Sequence, residues 1–147
     1  MGLFGRCGKR YRWAELAWMI LILCPWFPSS LSAAPLLLRC EIREGSQTFT
    51  ADFVPGSDPY ATEPKEFNRR FLFKAVLIGN EQSIDSIKIY TYYKEEHQVV
   101  LLHEVEYLPP FRQSEPSFAA LTGVNYLYAP ALERELQYGC KLLDGPS

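Results

Sequence analysis

The stretch Ile84–Leu108, IDSIKIYTYYKEEHQVVLLHEVEYL, decides the fold class of this 147-residue chain. It divides into two alternating runs, Ile84 to Glu95 and Gln98 to Leu108, around a polar Lys94-Glu95-Glu96-His97 tip, which is the pattern of an antiparallel hairpin. Side chains alternate along a strand, so Ile87, Ile89, Thr91 and Tyr93 share one face, and Val99, Leu101, His103 and Val105 share another. Setting Tyr93 opposite Val99 brings these faces together, with Thr91 against Leu101, Ile89 against His103 and Ile87 against Val105. The reverse face then pairs Lys88 with Glu104, Tyr90 with Leu102 and Tyr92 with Val100, which are favourable charge and aromatic–aliphatic neighbours. The expected hairpin thus has a core face and a second face carrying Tyr90, Tyr92, Val100 and Leu102. Tyr107 and the Tyr126/Tyr128 run extend that second face as a candidate interface.

Towards the N-terminus, Leu36 to Val54 reads as another hairpin around Gly45-Ser46, a composition suited to a two-residue type II′ turn. That loop sets Ile42 against Phe49, Cys40 against Ala51 and Leu38 against Phe53, and on the far face Arg39 meets Asp52. Apolar pairing and charge pairing select the same register. Cys40 shares its parity with Leu38 and Ile42. Cys140 shares its own with Leu136, Tyr138 and Leu142. Both therefore point inward, and a disulfide joining the first and last strands of one domain follows.

Between these elements, Pro55 to Glu66 is irregular and reads as a crossover between two sheets. Phe67 to Ile78 carries apolar residues on both parities, as a strand covered on both faces does. Gly79-Asn80 turns the chain, and Pro109-Pro110 ends pairing after Leu108. Ser114-Glu115-Pro116 can start one helical turn that Gly123 ends. Val124 to Tyr128 is a strand, Ala129-Pro130-Ala131 a turn, and Glu133 to Leu143 the last strand. Short strands with two Pro-rich connections predict an all-β fold, a small antiparallel β-sandwich, with a small barrel as the alternative. Tyr138-Gly139-Cys140 admits an immunoglobulin-like layout through a tyrosine corner, although no tryptophan follows residue 33 and the cysteine spacing is wide.

Residues 1–33 read as a secretory signal peptide: Arg6, Lys9, Arg10 and Arg12 precede an uncharged run from Leu16 to Phe27 and a small-residue Leu31-Ser32-Ala33 cleavage site. The alternative is an uncleaved anchor over residues 16–38, long enough to span a bilayer but broken by prolines. Residues 34–147 then form a single domain in the periplasm or the secreted medium. There, eleven Lys and Arg against sixteen Asp and Glu leave a net charge of −5 with histidines neutral. An acidic surface argues against nucleic acid, and a membrane is involved only if the leader is retained.

Few residues suggest chemistry. His97 and His103, six apart on one strand, lie about 20 Å from each other at the usual strand rise and cannot share a metal ion. His103 falls on the apolar face as a hydrogen-bonded core histidine, and Glu104 is matched to Lys88. No nucleophile elbow or phosphate loop is present. No catalytic residue, metal ligand or cofactor is assigned. The expected function is a non-enzymatic protein-binding module, an accessory subunit or inhibitor of an envelope enzyme. The alternatives are a binder of sugars or lipids through tyrosine stacking, or a membrane-tethered subunit of a larger complex.

Overall fold

β1 (Leu36–Glu44) and β2 (Gln47–Phe53) form the hairpin that alternation predicts, residue for residue: Leu38 opposite Phe53, Arg39 opposite Asp52, Cys40 opposite Ala51 and Ile42 opposite Phe49. Gly45 supplies a φ of 58° at the first turn position, where a side chain would be strained. Arg39 Nε and Nη2 each donate to the Asp52 carboxylate at 2.7 Å, which holds that carboxyl below its ordinary range. The computed structural model describes residues 36–113, 117–129 and 134–144. The signal peptide, the anchor up to residue 35, the Ser114-Glu115-Pro116 helix start and the Pro130-Ala131 part of the last turn lie outside those residues, whereas Leu36, Leu37 and Leu38 of the anchor reading belong to β1.

From β2 the chain crosses to a second sheet and meanders through β3 (Lys65–Phe67), β4 (Phe71–Asn80), β5 (Ser83–Lys94) and β6 (Val99–Tyr107). It then returns to the first sheet as β7 (Asn125–Ala129) and β8 (Arg134–Asp144). The two sheets have the orders β2-β1-β8-β7 and β3-β4-β5-β6, with every strand pair antiparallel. Among the described residues no strand of one sheet is hydrogen-bonded to a strand of the other, so the two sheets pack as a sandwich and the barrel alternative is set aside. The immunoglobulin-like layout is also corrected. That fold distributes successive strands between its sheets and bridges them with its disulfide. Here short turns keep four consecutive strands together, and Cys40 faces Cys140 within one sheet as a direct β1–β8 pair with Cα atoms 4.1 Å apart.

Two turns differ from expectation. Phe67 to Ile78 is interrupted, because Asn68 (φ 49°) and Arg69 (φ 59°) reverse the chain and Arg70 N donates to Phe67 O at 3.0 Å. Paired left-handed residues are what a type I′ turn needs, and asparagine tolerates that region. The Asn68 amide donates to the carboxylate of Glu44, which is buried and also accepts from Arg134 Nη1 at 3.0 Å. The next turn falls at Glu81-Gln82 rather than at Gly79-Asn80. Gly79 forms a bulge with φ 146°, where a Cβ would lie 2.2 Å from the Ser83 carbonyl oxygen. Asn80 Oδ1 accepts from the backbone N of Gln82 and Ser83 at 2.9 and 3.0 Å, which closes the reversal.

The core fills from both inner faces. Phe71, Phe73, Ile87 and Ile89 of the second sheet meet Leu38, Ile42, Leu136 and Tyr138 of the first, all fully buried. On its opposite face β4 buries Val76, while Leu72, Lys74 and Ile78 stay partly exposed, so the expected cover on both sides is only partial. After β6, Gly123 (φ 68°) closes a helical turn by donating its N to Ala119 O at 2.8 Å. This segment pairs with the stretch of β8 that β7 leaves unpaired beyond Tyr138: Leu121 N donates to Cys140 O, and Cys140 N donates to Thr122 Oγ1, each at 2.9 Å. A Cβ on Gly139 would sit 2.4 Å from that of Ala119, so the segment rests on the first sheet and leaves the tyrosine face alone.

Candidate functional site

The pairing of β5 with β6 determines which side chains reach the outer face of the second sheet. Ile89 lies opposite Val105, Tyr90 opposite Glu104 and Thr91 opposite His103, and then the register shifts so that Tyr92 lies opposite Leu101 and Tyr93 opposite Val100. Leu102 is the additional residue of this bulge. The expected register is therefore two residues off over most of the hairpin and one off near its tip. A shift of two preserves side-chain parity and exchanges one glutamate for another, so Lys88 pairs with Glu106 at 3.7 Å instead of with Glu104. Parity alone could not distinguish the two registers.

The bulge also divides the expected set of surface residues. Tyr90 and Tyr92 do share the outer face, with rings stacked at 6.2 Å and 13°. Val100 and Leu102 are half-buried, and Leu102 turns to pack on the core, as does Tyr107. Their places outside are taken by Val99 (54% exposed) and Leu101 (47%). The outer face thus holds the cross-strand rows Leu72–Tyr92–Leu101, Lys74–Tyr90–Glu104 and Val76–Lys88–Glu106. The Tyr92 phenol is pushed above its ordinary range by burial first, then by Tyr90 and Glu104. Tyr126 and Tyr128 are exposed on β7, which belongs to the other sheet.

Sequence reasoning missed the groove beside Tyr90. The crossover folds back along the outer edge of β4, where Gly56 bridges Ile78 in parallel, its N donating to Leu77 O at 3.0 Å and its O accepting from Gly79 N at 3.2 Å. Ser57, Pro59 and Tyr60 then wall a groove of about 520 Å³ against Lys74, Val76, Ile78, Lys88 and Tyr90. Tyr60 N donates to Asp58 Oδ1 at 2.8 Å, an Asx turn that holds the wall in shape. The proline-rich composition announced a loop. Where that loop lands depends on a single backbone bridge that no side-chain pattern encodes.

The inner face of the same strands holds an unsatisfied polar cluster. His103 faces Thr91, and its ring lies 6.0 Å from that of Tyr138. Thr91 Oγ1, His103 Nε2 and the Tyr138 hydroxyl are buried, and none has a hydrogen-bond partner among the described residues. The expected hydrogen-bonded core histidine is thus corrected at Nε2: His103 is half-buried against Thr91 and Tyr138, and that nitrogen makes no hydrogen bond among the described residues. Burial, then the neighbouring Tyr107, pushes the Tyr138 phenol far up. Thr91→Val keeps the shape and removes a buried hydroxyl without a protein partner, so it is expected to stabilise the domain by about 1 kcal/mol. A urea midpoint that falls instead would show that the hydroxyl is satisfied.

Among the described residues no group of three or more His, Cys, Asp and Glu is placed to hold a metal ion, and no helix is long and apolar enough to cross a membrane. No protein-family model, curated protein or solved structure matches the chain. The outer face of β4, β5 and β6, with its adjoining groove, is the candidate site.

Proposed function

We propose that this chain is an exported, non-enzymatic module, periplasmic or secreted, that binds another protein through the outer face of its second sheet. An accessory subunit or an inhibitor of an envelope enzyme is the role that such a surface suits. The observation that carries this reading is the stacked Tyr90–Tyr92 pair on an open sheet face beside the exposed Leu101 and Val99. Tyrosine gives a large amphipathic contact at low entropic cost, and protein interfaces are enriched in it. The buried Cys40–Cys140 bond supports an oxidising compartment, since disulfides persist there and are rare in the cytosol.

The double substitution Tyr90→Ser/Tyr92→Ser tests it. Recovery of the partner from the native envelope is expected to fall by roughly tenfold or more, the scale of a central contact, while the melting temperature moves by only a few degrees. Unchanged recovery, or a collapse in melting temperature, would assign the pair to structure alone. A second reading, binding of a sugar or lipid, is favoured by the groove of about 520 Å³ with Tyr60 and Tyr90 on its walls, a volume within the range of small-molecule sites.

A further inference from the structure

The groove differs in charge from the rest of the domain. Residues 34–147 carry five more acidic than basic side chains, yet the lining of this groove includes Lys74 and Lys88 and no carboxylate. The groove on the other side of the same crossover is lined by Asp52, Asp58 and Glu63 beside one lysine, and the two at the β1–β2 turn combine Glu44 with arginines, Arg70 and Arg134 in one and Arg43 and Arg134 in the other. Lys88 is loosely engaged by Glu106 at 3.7 Å. Lys74 has no ion-pair or hydrogen-bond partner among the described residues. Val76 and Ile78, on the same face of β4 as Lys74, are the apolar part of the lining. Tyr60, 87% exposed, and Pro59 make the outer wall.

We infer that this groove receives an acidic, apolar segment of the partner protein. A side-chain carboxylate meets Lys74 Nζ, and an adjacent apolar side chain lies on Val76 and Ile78 between Tyr60 and Tyr90. The inference rests on the protein-binding reading and specifies the partner's chemistry. Charge complementarity selects the occupant: Lys74 is unpaired among the described residues and Lys88 is held only loosely by Glu106, so an anion gains from both cations, whereas a basic segment meets no carboxylate in the lining. The apolar lining and tyrosine walls select against a bare anion, which would leave that surface uncovered. Tyr90 belongs to both the groove and the stacked pair, so a chain leaving the groove continues over Tyr92. The Gly56 bridge and the Asp58 turn hold the wall before binding, which lowers the ordering cost.

Titration of the ¹⁵N-labelled full chain with an N-acetylated Glu-Leu amide, and with its Gln-Leu counterpart, tests the inference. The acidic peptide is expected to shift the amide signals of Ser57, Tyr60, Lys74 and Tyr90 and to bind about fivefold more tightly than the neutral one. That preference should vanish in Lys74→Gln, return in Lys74→Arg and fade in 1 M salt, where the screening length is about 3 Å. Equal binding of the two peptides, or shifts confined to other residues, would overturn it. So would glucuronate shifting the same amides more strongly than the peptide, which would point to a small acidic ligand. Tyr92 does not line the groove. Loss of the partner in Tyr92→Ser while these amides ignore the acidic peptide would therefore sink the groove assignment and leave the protein-binding reading intact.

Discussion

Replacing Cys40 and Cys140 together by alanine is expected to remove about 4 to 5 kcal/mol of stability, because the bond closes a loop of 100 residues and so restricts the unfolded chain severely. Small domains are stable by only about 5–15 kcal/mol, so the variant should be marginal at physiological temperature. Both sulfurs are fully buried on adjacent central strands of the first sheet, so each substitution also removes some core packing. The chain-entropy account has its own signature. Without the cross-link the unfolded chain expands and exposes more surface, so the denaturant m-value should rise while the midpoint falls. Equilibrium urea unfolding with and without reductant checks both quantities. A loss below about 1 kcal/mol would mean that the unfolded state is already compact enough to make the bond redundant.

Phe73→Ala is expected to cost about 3–5 kcal/mol, the range for truncating a fully buried aromatic side chain. Phe73 is wholly inaccessible, and its ring centroid lies 5.2 Å from Tyr138, 6.0 Å from Phe53 and 6.5 Å from Phe67. It thereby joins β2, β3 and β4 to β8 across the sandwich. Those partners are pinned by their own strands and cannot close the cavity fully. Tyr60→Ala, on the exposed rim of the groove, should change stability by less than about 0.5 kcal/mol. Thermal unfolding of the pair provides the check: similar losses in both variants would contradict the placement of Phe73 at the centre of the core.

How far the sequence discloses this molecule depends on whether independent signals constrain each register. In β1–β2, the turn glycine Gly45, the Cys40–Ala51 size match and the Arg39–Asp52 pair all select one alignment, and the structure has it. The parity of Cys40 and Cys140 likewise places both inward, facing each other across first and last strands. β5–β6 lacks that redundancy. Glu104 and Glu106 repeat at the spacing of the pleat, so Lys88 finds an acid in either of two registers. The bulge at Thr91/Tyr92 then reverses parity without a glycine to mark it. Of the candidate site, Tyr90 and Tyr92 were legible because they sit on the regular part of β5. Val99, Leu101 and the groove residues were not, since their placement depends on the bulge and on the long-range Gly56–Ile78 bridge.

The β1–β8 ladder has a mechanical consequence. Leu36 pairs with Asp144 at its open end, and tension applied between those two residues would peel the strands apart one pair at a time, through Leu37–Leu143, Leu38–Leu142 and Arg39–Lys141. At Cys40–Cys140 the peeling meets a covalent stop, and the load passes across the sulfur bridge from one strand to the other. Everything between those cysteines, including the tyrosine face and the groove, is then shielded from pulling. A domain built this way can be tugged at Leu36 and Asp144 without distorting that face.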